Sequence, residues 1–402
     1  MTHQDRKIHL PGGFVFAAAA AGIKSGARLD LAYVEAPERA TAAAVFTRNR
    51  VVAAPIQIAR RHLRSSGGRV RAVIVNSGNA NCATGAAGRR RCEQVCERLG
   101  ILLGAPTREI FPSSTGIIGV PLPVGKILTT LPQLVAAKNA SPEAAFCFAR
   151  AIMTTDTRPK LASARFRRGA RTATVLGIAK GAGMIHPNMA TMLAFVFTDI
   201  AASAGDLQSL LRAASDRTFN CISVDGDTST NDTVLLMASG ASGLSLTSAA
   251  ARKSFQAALS SVCQSLAEQI VADGEGVSHV VRLRVEQARN QNEAKQIARA
   301  IARSLLVKTA WAGADPNWGR ILAAVGASGV GVDPAGISIW IGDHQVCRRG
   351  GACDFDRAAV HDYLAQPSYS IQVRLGRGPA RTDFLTCDLT AEYVRINAEY
   401  ST

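Results

Sequence analysis

A chain of 402 residues with 47% hydrophobic side chains can bury one large core or two domain-sized ones, which excludes a disordered polymer. No uncharged apolar run approaches the roughly 18 residues of a membrane-spanning helix, and the start "MTHQDRKIHLPGGF" lacks the order of a secretory signal, so a cytoplasmic protein with no membrane association is expected. The 46 Lys and Arg against 30 Asp and Glu give +16, but with 5% aromatic residues and no reading motif the charge suits small acidic metabolites better than nucleic acid.

The first half reads as short strands broken by glycine and small polar residues, as in "RVRAVIVNSGNANCATG". Basic clusters such as "RRH" at 60–62 and "GRRRCEQVCER" at 88–98 have acidic neighbours and read as solvated helix faces. Helical patterns follow at Arg90 to Gly100, Pro132 to Lys138 and Pro142 to Met153, the last entered through a Ser141 cap with proline at the first helical position. An apolar strand, "MLAFVFTD", starts at Met192, and helices are expected near Ala204 to Thr218 and Ser248 to Ala272. Soft divisions fall near 190 and near 280–290, where "RVEQARNQNEAKQIARAIARS" opens a helix. "PNWGR" reads as a turn, with Arg320 paired inside the protein. The alternation of elements, with no internal repeat, indicates a mixed α/β fold. Nine cysteines without paired CxxC spacing read as reduced, buried thiols, with Cys92 and Cys96 on one helical face.

The stretch "GIAKGAGMIHPNMATMLAFVFTD", Gly177 to Asp199, carries the strongest chemical signal. Glycines at 177, 181 and 183 permit unusual backbone angles, Pro187 stiffens the turn, and Thr191 stands where the apolar strand begins. Taken alone, Thr191 reads as an ordinary threonine capping a strand. As a nucleophile it needs a base. His186 lies across a proline with no evident carboxylate to orient it. His3, His9, His62, His279, His344 and His361 sit in unremarkable contexts, and no GxSxG elbow is present. What remains is the threonine's own α-amine, with a pKa of about 7.7 to 8.0, which an internal residue gains only if the Ala190–Thr191 bond is cut.

"KGAGMIHPNMATMLAFVFTD" closely resembles the self-cleaving segment of the ornithine acetyltransferase (glutamate N-acetyltransferase) family. Further matches run along nearly the whole chain in the family's order: "VNSGNANCATG" at 75–85, "PSSTGIIG" at 112–119, "TTDTRPK" at 154–160, "SVDGDTSTNDT" at 223–233, "DGEG" at 273–276, "ADPNWGRILAAVG" at 314–326 and the terminal "INAEYST". The resemblance implies cleavage between Ala190 and Thr191 into chains 1–190 and 191–402, with Thr191 as nucleophile and Thr115 and Gly116 as an oxyanion pair. Thr157, Lys180, Thr191, Glu275, Asn397 and Thr402 align with substrate contacts. It also implies a two-domain α/β architecture of stacked sheets and flanking helices, divided at about 1–280 and 281–402 and shared with self-processing aminopeptidases such as DmpA, and an assembly of two copies of each fragment.

The implied reaction is a ping-pong transfer of acetyl from N-acetylornithine to glutamate in arginine biosynthesis, without a cofactor. Acetyl-CoA as a second donor, or a self-processing aminopeptidase releasing product to water, are the alternatives. N-acetylornithine carries an α-carboxylate and a side-chain ammonium, charges that Lys180 and Glu275 complement. Asp225, Asp227, Asn231 and Asp232 resemble part of a calcium loop, but the twelfth position falls on Leu236, so a hydrogen-bonding buttress is expected instead and no metal. "GASGVGVD" at 326–333 fits no dinucleotide fingerprint. Two departures from the family pattern are Val120, where an acidic residue is common, and Val277-Ser278-His279 after "DGEG", where a lysine usually stands.

Overall fold

The computed structural model describes residues 8–186 and 192–399. Three sheets organise the chain. A four-stranded sheet runs in the order Val15–Ala19, Leu31–Glu35, Ala72–Asn79, Ile110–Ile117, and a five-stranded sheet in the order Thr41–Phe46, Thr233–Ala238, Leu193–Thr198, Arg171–Lys180, Lys160–Arg168. The period-two side-chain alternation of each strand decides how these two stack. In Leu193–Thr198, Leu193, Phe195 and Phe197 face Phe16, Val34, Val73 and Phe111 of the first sheet, while Ala194 and Val196 face helices Ala204–Arg217 and Ala249–Ala272. Both faces are therefore buried, which is why "MLAFVFTD" is apolar throughout rather than alternating. Between the sheets Phe14, Phe16, Phe148, Phe195 and Phe197 pack with centroids 5.2 to 6.1 Å apart, mostly tilted or edge-on, as the ring quadrupoles prefer. Helices Gly85–Leu103 and Val124–Ala136 cover the outer face of the first sheet, completing a helix–sheet–sheet–helix stack.

The third sheet has the order Gly351–Ala352, His344–Arg348, Ser338–Ile341, Ser368–Arg374, Val280–Ala288, Ala380–Cys387. It forms a separate core with helices Gln291–Arg303, Trp318–Gly326 and Arg357–Leu364. Among the described residues no helix is long and apolar enough to cross a membrane.

Several expected elements appear with different limits. Ser141 accepts the Ala144 N–H at 3.2 Å and opens the helix Pro142–Ala151, and Ser248 likewise caps Ala249–Ala272. Pro132 does not open a helix; it lies inside Val124–Ala136 on the exposed face, where water can take the carbonyl that its missing N–H leaves. "RVEQA" at 284–288 is strand, and the helix begins at Gln291 under an Asn290 cap. Asn317 caps a helix rather than closing a turn, and Arg320 is half-buried, bonding the Leu306 carbonyl at 2.8 Å instead of an acid. All nine cysteines are free, seven of them buried, and contact with Cys92 and burial push the Cys96 thiol well up.

Gly177 is not a loop residue but lies within Arg171–Lys180, and its role is space. A Cβ there would stand 2.5 Å from Val262 and 2.6 Å from Leu266 of the long helix. Gly177→Ala should overpack this contact and destabilise the fold by about 1–3 kcal/mol, read as a lowered midpoint in thermal unfolding.

Candidate active site

The ends of the two stacked sheets meet at a cavity of about 120 Å³, lined by Ala80, Thr115, Gly116, Ile118, Thr154, Thr155, Lys180, Gly183, Met184, Asp225, Asp227, Ser229 to Asn231, Glu275, Tyr393 and Asn397. Thr115, Gly116, Lys180, Glu275 and Asn397, far apart in sequence, are thus neighbours. Thr157 stands outside this lining: its amide donates to Asp273 at 3.1 Å and its hydroxyl bonds the same carboxylate. Ala190, Thr191 and Thr402 lie outside the described residues.

One wall is the end of the strand Ile110–Ile117, which pairs in parallel with Ala72–Asn79 so that Gly116 faces Gly78. Both have positive φ, +131° and +92°, and a Cβ on Gly116 would lie 2.4 Å from the Gly78 carbonyl carbon. Only glycine fits there. The asparagines of "VNSGNANC" hold this wall from behind. Asn76 donates to the Asn79 carbonyl at 2.8 Å and accepts from Ser114 at 2.6 Å, Asn79 donates to the Val120 carbonyl at 3.0 Å, and Asn231 donates to Ala80 and Ser114 carbonyls at 2.7 and 2.9 Å. Val120 therefore enters through its backbone.

Lys180, at the end of Arg171–Lys180, is buried and donates to Thr154 Oγ1 at 2.8 Å and Thr115 Oγ1 at 3.3 Å, with Asp156 at 3.9 Å. Burial pulls its pKa down and Asp156 opposes this. Asp156 also accepts from Lys160 at 2.6 Å, Gly181 N–H at 2.6 Å and Thr154 N–H at 3.0 Å, and Lys160 pairs in turn with Asp273. Burial would raise the Asp156 pKa, but Lys180 and Lys160 prevail and hold it below the usual carboxylate range. None of Asp156, Lys160 or Asp273 is a residue that sequence reasoning singled out, although "TTDTRPK" and "DGEG" contain all three.

The opposite wall is carboxylate. Glu275 follows the long helix, its N–H bonded to the Ala182 carbonyl at 3.0 Å. Gly183 packs against it so closely that a Cβ would stand 2.4 Å from Oε2. The C-terminal helix Ala391–Glu399 docks over this turn: Asn397 donates to Glu275 at 2.8 Å, Thr390 to the Gly276 carbonyl at 2.7 Å, and Tyr393 N lies 2.5 Å from where a Gly276 Cβ would be. Asp225 accepts from the amides of Met184, Ile185 (2.9 Å) and Asp227 (3.1 Å), and Asp232 accepts from Met192 N–H at 3.0 Å. The acidic loop thus buttresses Met184, Ile185 and Met192. His186 bonds Ser223 at 3.1 Å, and burial together with Arg303 and Arg299 pushes its pKa down to about 3, leaving it neutral at pH 7. His279, at the second departure from the family pattern, bonds the Gln366 carbonyl at 2.9 Å and does not line the cavity.

The sequence pattern of the ArgJ family matches residues 15–402. The chain belongs to the ArgJ family. It is 47% identical over 395 residues to the arginine biosynthesis bifunctional protein ArgJ of Methylococcus capsulatus, covering 97% of this chain and 95% of that one. It is 44% identical over 399 residues to that of Symbiobacterium thermophilum, covering 98% of each. A crystal structure of the ArgJ protein from Bacillus halodurans matches with 42% identity and a TM-score of 0.50, covering 51% of this chain and 98% of the solved one. Membership makes the chain an ArgJ-type enzyme of arginine biosynthesis.

Lys160→Met should leave Asp156 and Asp273 buried without their shared cation, at a cost of about 3–5 kcal/mol in unfolding free energy. Because Asp156 is held low, its stabilisation is present above the ordinary carboxylate pKa of about 3.9 and is lost as pH falls through the lower folded value. Asp156→Asn should accordingly flatten the acid limb of a stability-against-pH curve, and an unchanged limb would contradict this assignment.

Proposed function

We propose that the enzyme transfers the acetyl group of N2-acetyl-L-ornithine to L-glutamate through an acetyl-Thr191 ester, after cutting itself between Ala190 and Thr191. The observation that carries the proposal is the single cavity in which Thr115 and Gly116 lie beside Lys180 while Glu275 and Asn397 form the opposite wall. The Thr115 hydroxyl accepts the Lys180 N–H, so its own proton is free to donate into the cavity, where it and the Gly116 amide stabilise a tetrahedral oxyanion. Thr191 gives its hydroxyl proton to its own freed amine and attacks the acetyl carbonyl; ornithine leaves as its nitrogen regains that proton. The glutamate amine then attacks the ester and restores the threonine. Lys180 takes the substrate carboxylate and Glu275 the donor's side-chain ammonium.

The strand order supports the cut. Leu193–Thr198, just beyond the junction, lies between Arg171–Lys180 and Thr233–Ala238, so fragments 1–190 and 191–402 would stay woven through one sheet. That the solved Bacillus halodurans chain spans only half of this one along 98% of its own length also suits a two-chain product. The mature enzyme on this reading is cytoplasmic, assembles as two copies of each fragment and works without a cofactor. Thr157, bonded to Asp273, aids substrate binding by holding that turn, and Thr402 closes the site with the docked tail.

A denaturing gel with N-terminal sequencing should show two fragments, the second beginning at Thr191, and Thr191→Ala should give one inactive band; an uncut, fully active chain overturns the proposal. Thr115→Ala should lower kcat on the order of 10²–10³-fold. Acetylglutamate should form rather than acetate, which separates transfer from hydrolysis. Lys180→Ala should raise the KM of both substrates, and Glu275→Ala that of N-acetylornithine. Deleting residues 398–402 should abolish turnover, since Asn397 docks immediately before them; full activity in the truncated chain would refute a role for the tail.

A further inference from the structure

The charge of the cavity does not match both substrates equally. Its described lining holds one cation, Lys180, and three carboxylates, Asp225, Asp227 and Glu275, an excess of two negative charges in a chain of net charge +16. N-acetylornithine brings one carboxylate and a side-chain ammonium, which this wall attracts. Glutamate brings a second carboxylate in place of that ammonium, which the same wall repels at close range. On the acetyl-transfer reading proposed above, one site must serve both.

Asp225 is placed to resolve the conflict. It lies between the loop at 183–186, whose Met184 and Ile185 amides it accepts, and the C-terminal helix, whose Tyr393 phenol faces it. The titratable groups around it are Asp227 on its own turn, Glu275 after the long helix, Tyr393 on the C-terminal helix, and Cys387 at the end of Ala380–Cys387, with Lys180 across the cavity. Beside this turn the Arg303 side chain packs against Gly226. We infer that Asp225 is a specificity-determining residue that changes protonation state between the two half-reactions, ionised against the donor's side-chain ammonium and protonated when the dicarboxylate acceptor occupies the cavity.

The electrostatics agree with the geometry. Burial pushes Asp225 up to about 6 against the pull of the Asp227 and Met184 amides, and Asp227 and Glu275 add to the rise. A group poised there responds to one charge: a neighbouring carboxylate raises its proton affinity further and an ammonium lowers it. Binding glutamate near pH 7 therefore takes up a proton, and binding ornithine does not. The KM for glutamate should rise by up to tenfold per pH unit above pH 6, while the KM for the donor falls as pH rises towards 6 and is level above it.

Calorimetric titration of the processed enzyme with glutamate and with ornithine, each in two buffers of different ionisation enthalpy, counts these protons. The expected result near pH 7.5 is uptake approaching one proton for glutamate and none for ornithine. Equal counts overturn the inference while leaving acetyl transfer, measured separately, intact; loss of transfer with processing complete would instead fail the functional reading. Uptake should vanish below about pH 6, where the free enzyme already holds the proton, and in Asp225→Asn. Should that variant not fold, Asp227→Asn alters only an exposed side chain whose backbone amide makes the bond to Asp225, and should move the low-pH midpoint downward. Uptake that persists in Asp225→Asn, or a midpoint unmoved in Asp227→Asn, overturns the assignment.

Discussion

A line of buried charges, Lys180, Asp156, Lys160 and Asp273, ties together three segments that the sequence separates by up to 117 residues. Ions out of water are tolerable only when each is matched and its remaining polar atoms are bonded, and that condition is met here: Asp156 takes two lysines and two backbone amides, and Asp273 takes Lys160 and Thr157. The line runs from the cavity to the turn that presents Glu275. The cation wall and the anion wall of the cavity are therefore one electrostatic unit, and displacing any member leaves an uncompensated charge in the interior.

The second constraint is steric and acts through glycine. Gly78 and Gly116 let two parallel strands end face to face at one wall of the cavity, Gly183 leaves room for the Glu275 carboxylate, and Gly276 leaves room for the C-terminal helix. These are close approaches between backbones or onto a carboxylate, so the cavity is shaped as much by missing Cβ atoms as by the side chains that line it. Asparagine amides then satisfy the backbone groups that the irregular strand ends leave unpaired.

What was legible beforehand follows from range. Ser141–Pro142 and Ser248 mark helix starts because capping is local chemistry, and "MLAFVFTD" is a buried strand by composition alone. The strand Val280–Ala288 was hidden because Glu286, Gln287 and Ala288 favour helix, while the true signal was the alternation of Val281, Leu283 and Val285 facing the core. Gly177 gave no hint of its purpose, since what forbids a side chain there is Val262 and Leu266, more than 80 residues away. The motifs pointed to Thr115, Lys180 and Glu275 as neighbours and to the acidic loop of Asp225 as a buttress, but Asp156 and Lys160 act through Asp273, distant in sequence, which no spacing rule reports.

The five-stranded sheet sets a further condition on the life of the molecule. Three of its strands come from before the junction at 187–191 and two from after it, and the one just past that junction is flanked on both sides. A break there would release nothing, because the hydrogen-bonded ladders would outlast the covalent link. It would also make assembly a one-way event: an intact chain closes this sheet by folding upon itself, whereas two separated pieces would have to find each other in solution. The persistence of a divided enzyme would then rest on slow unfolding, and reassembly would depend on concentration.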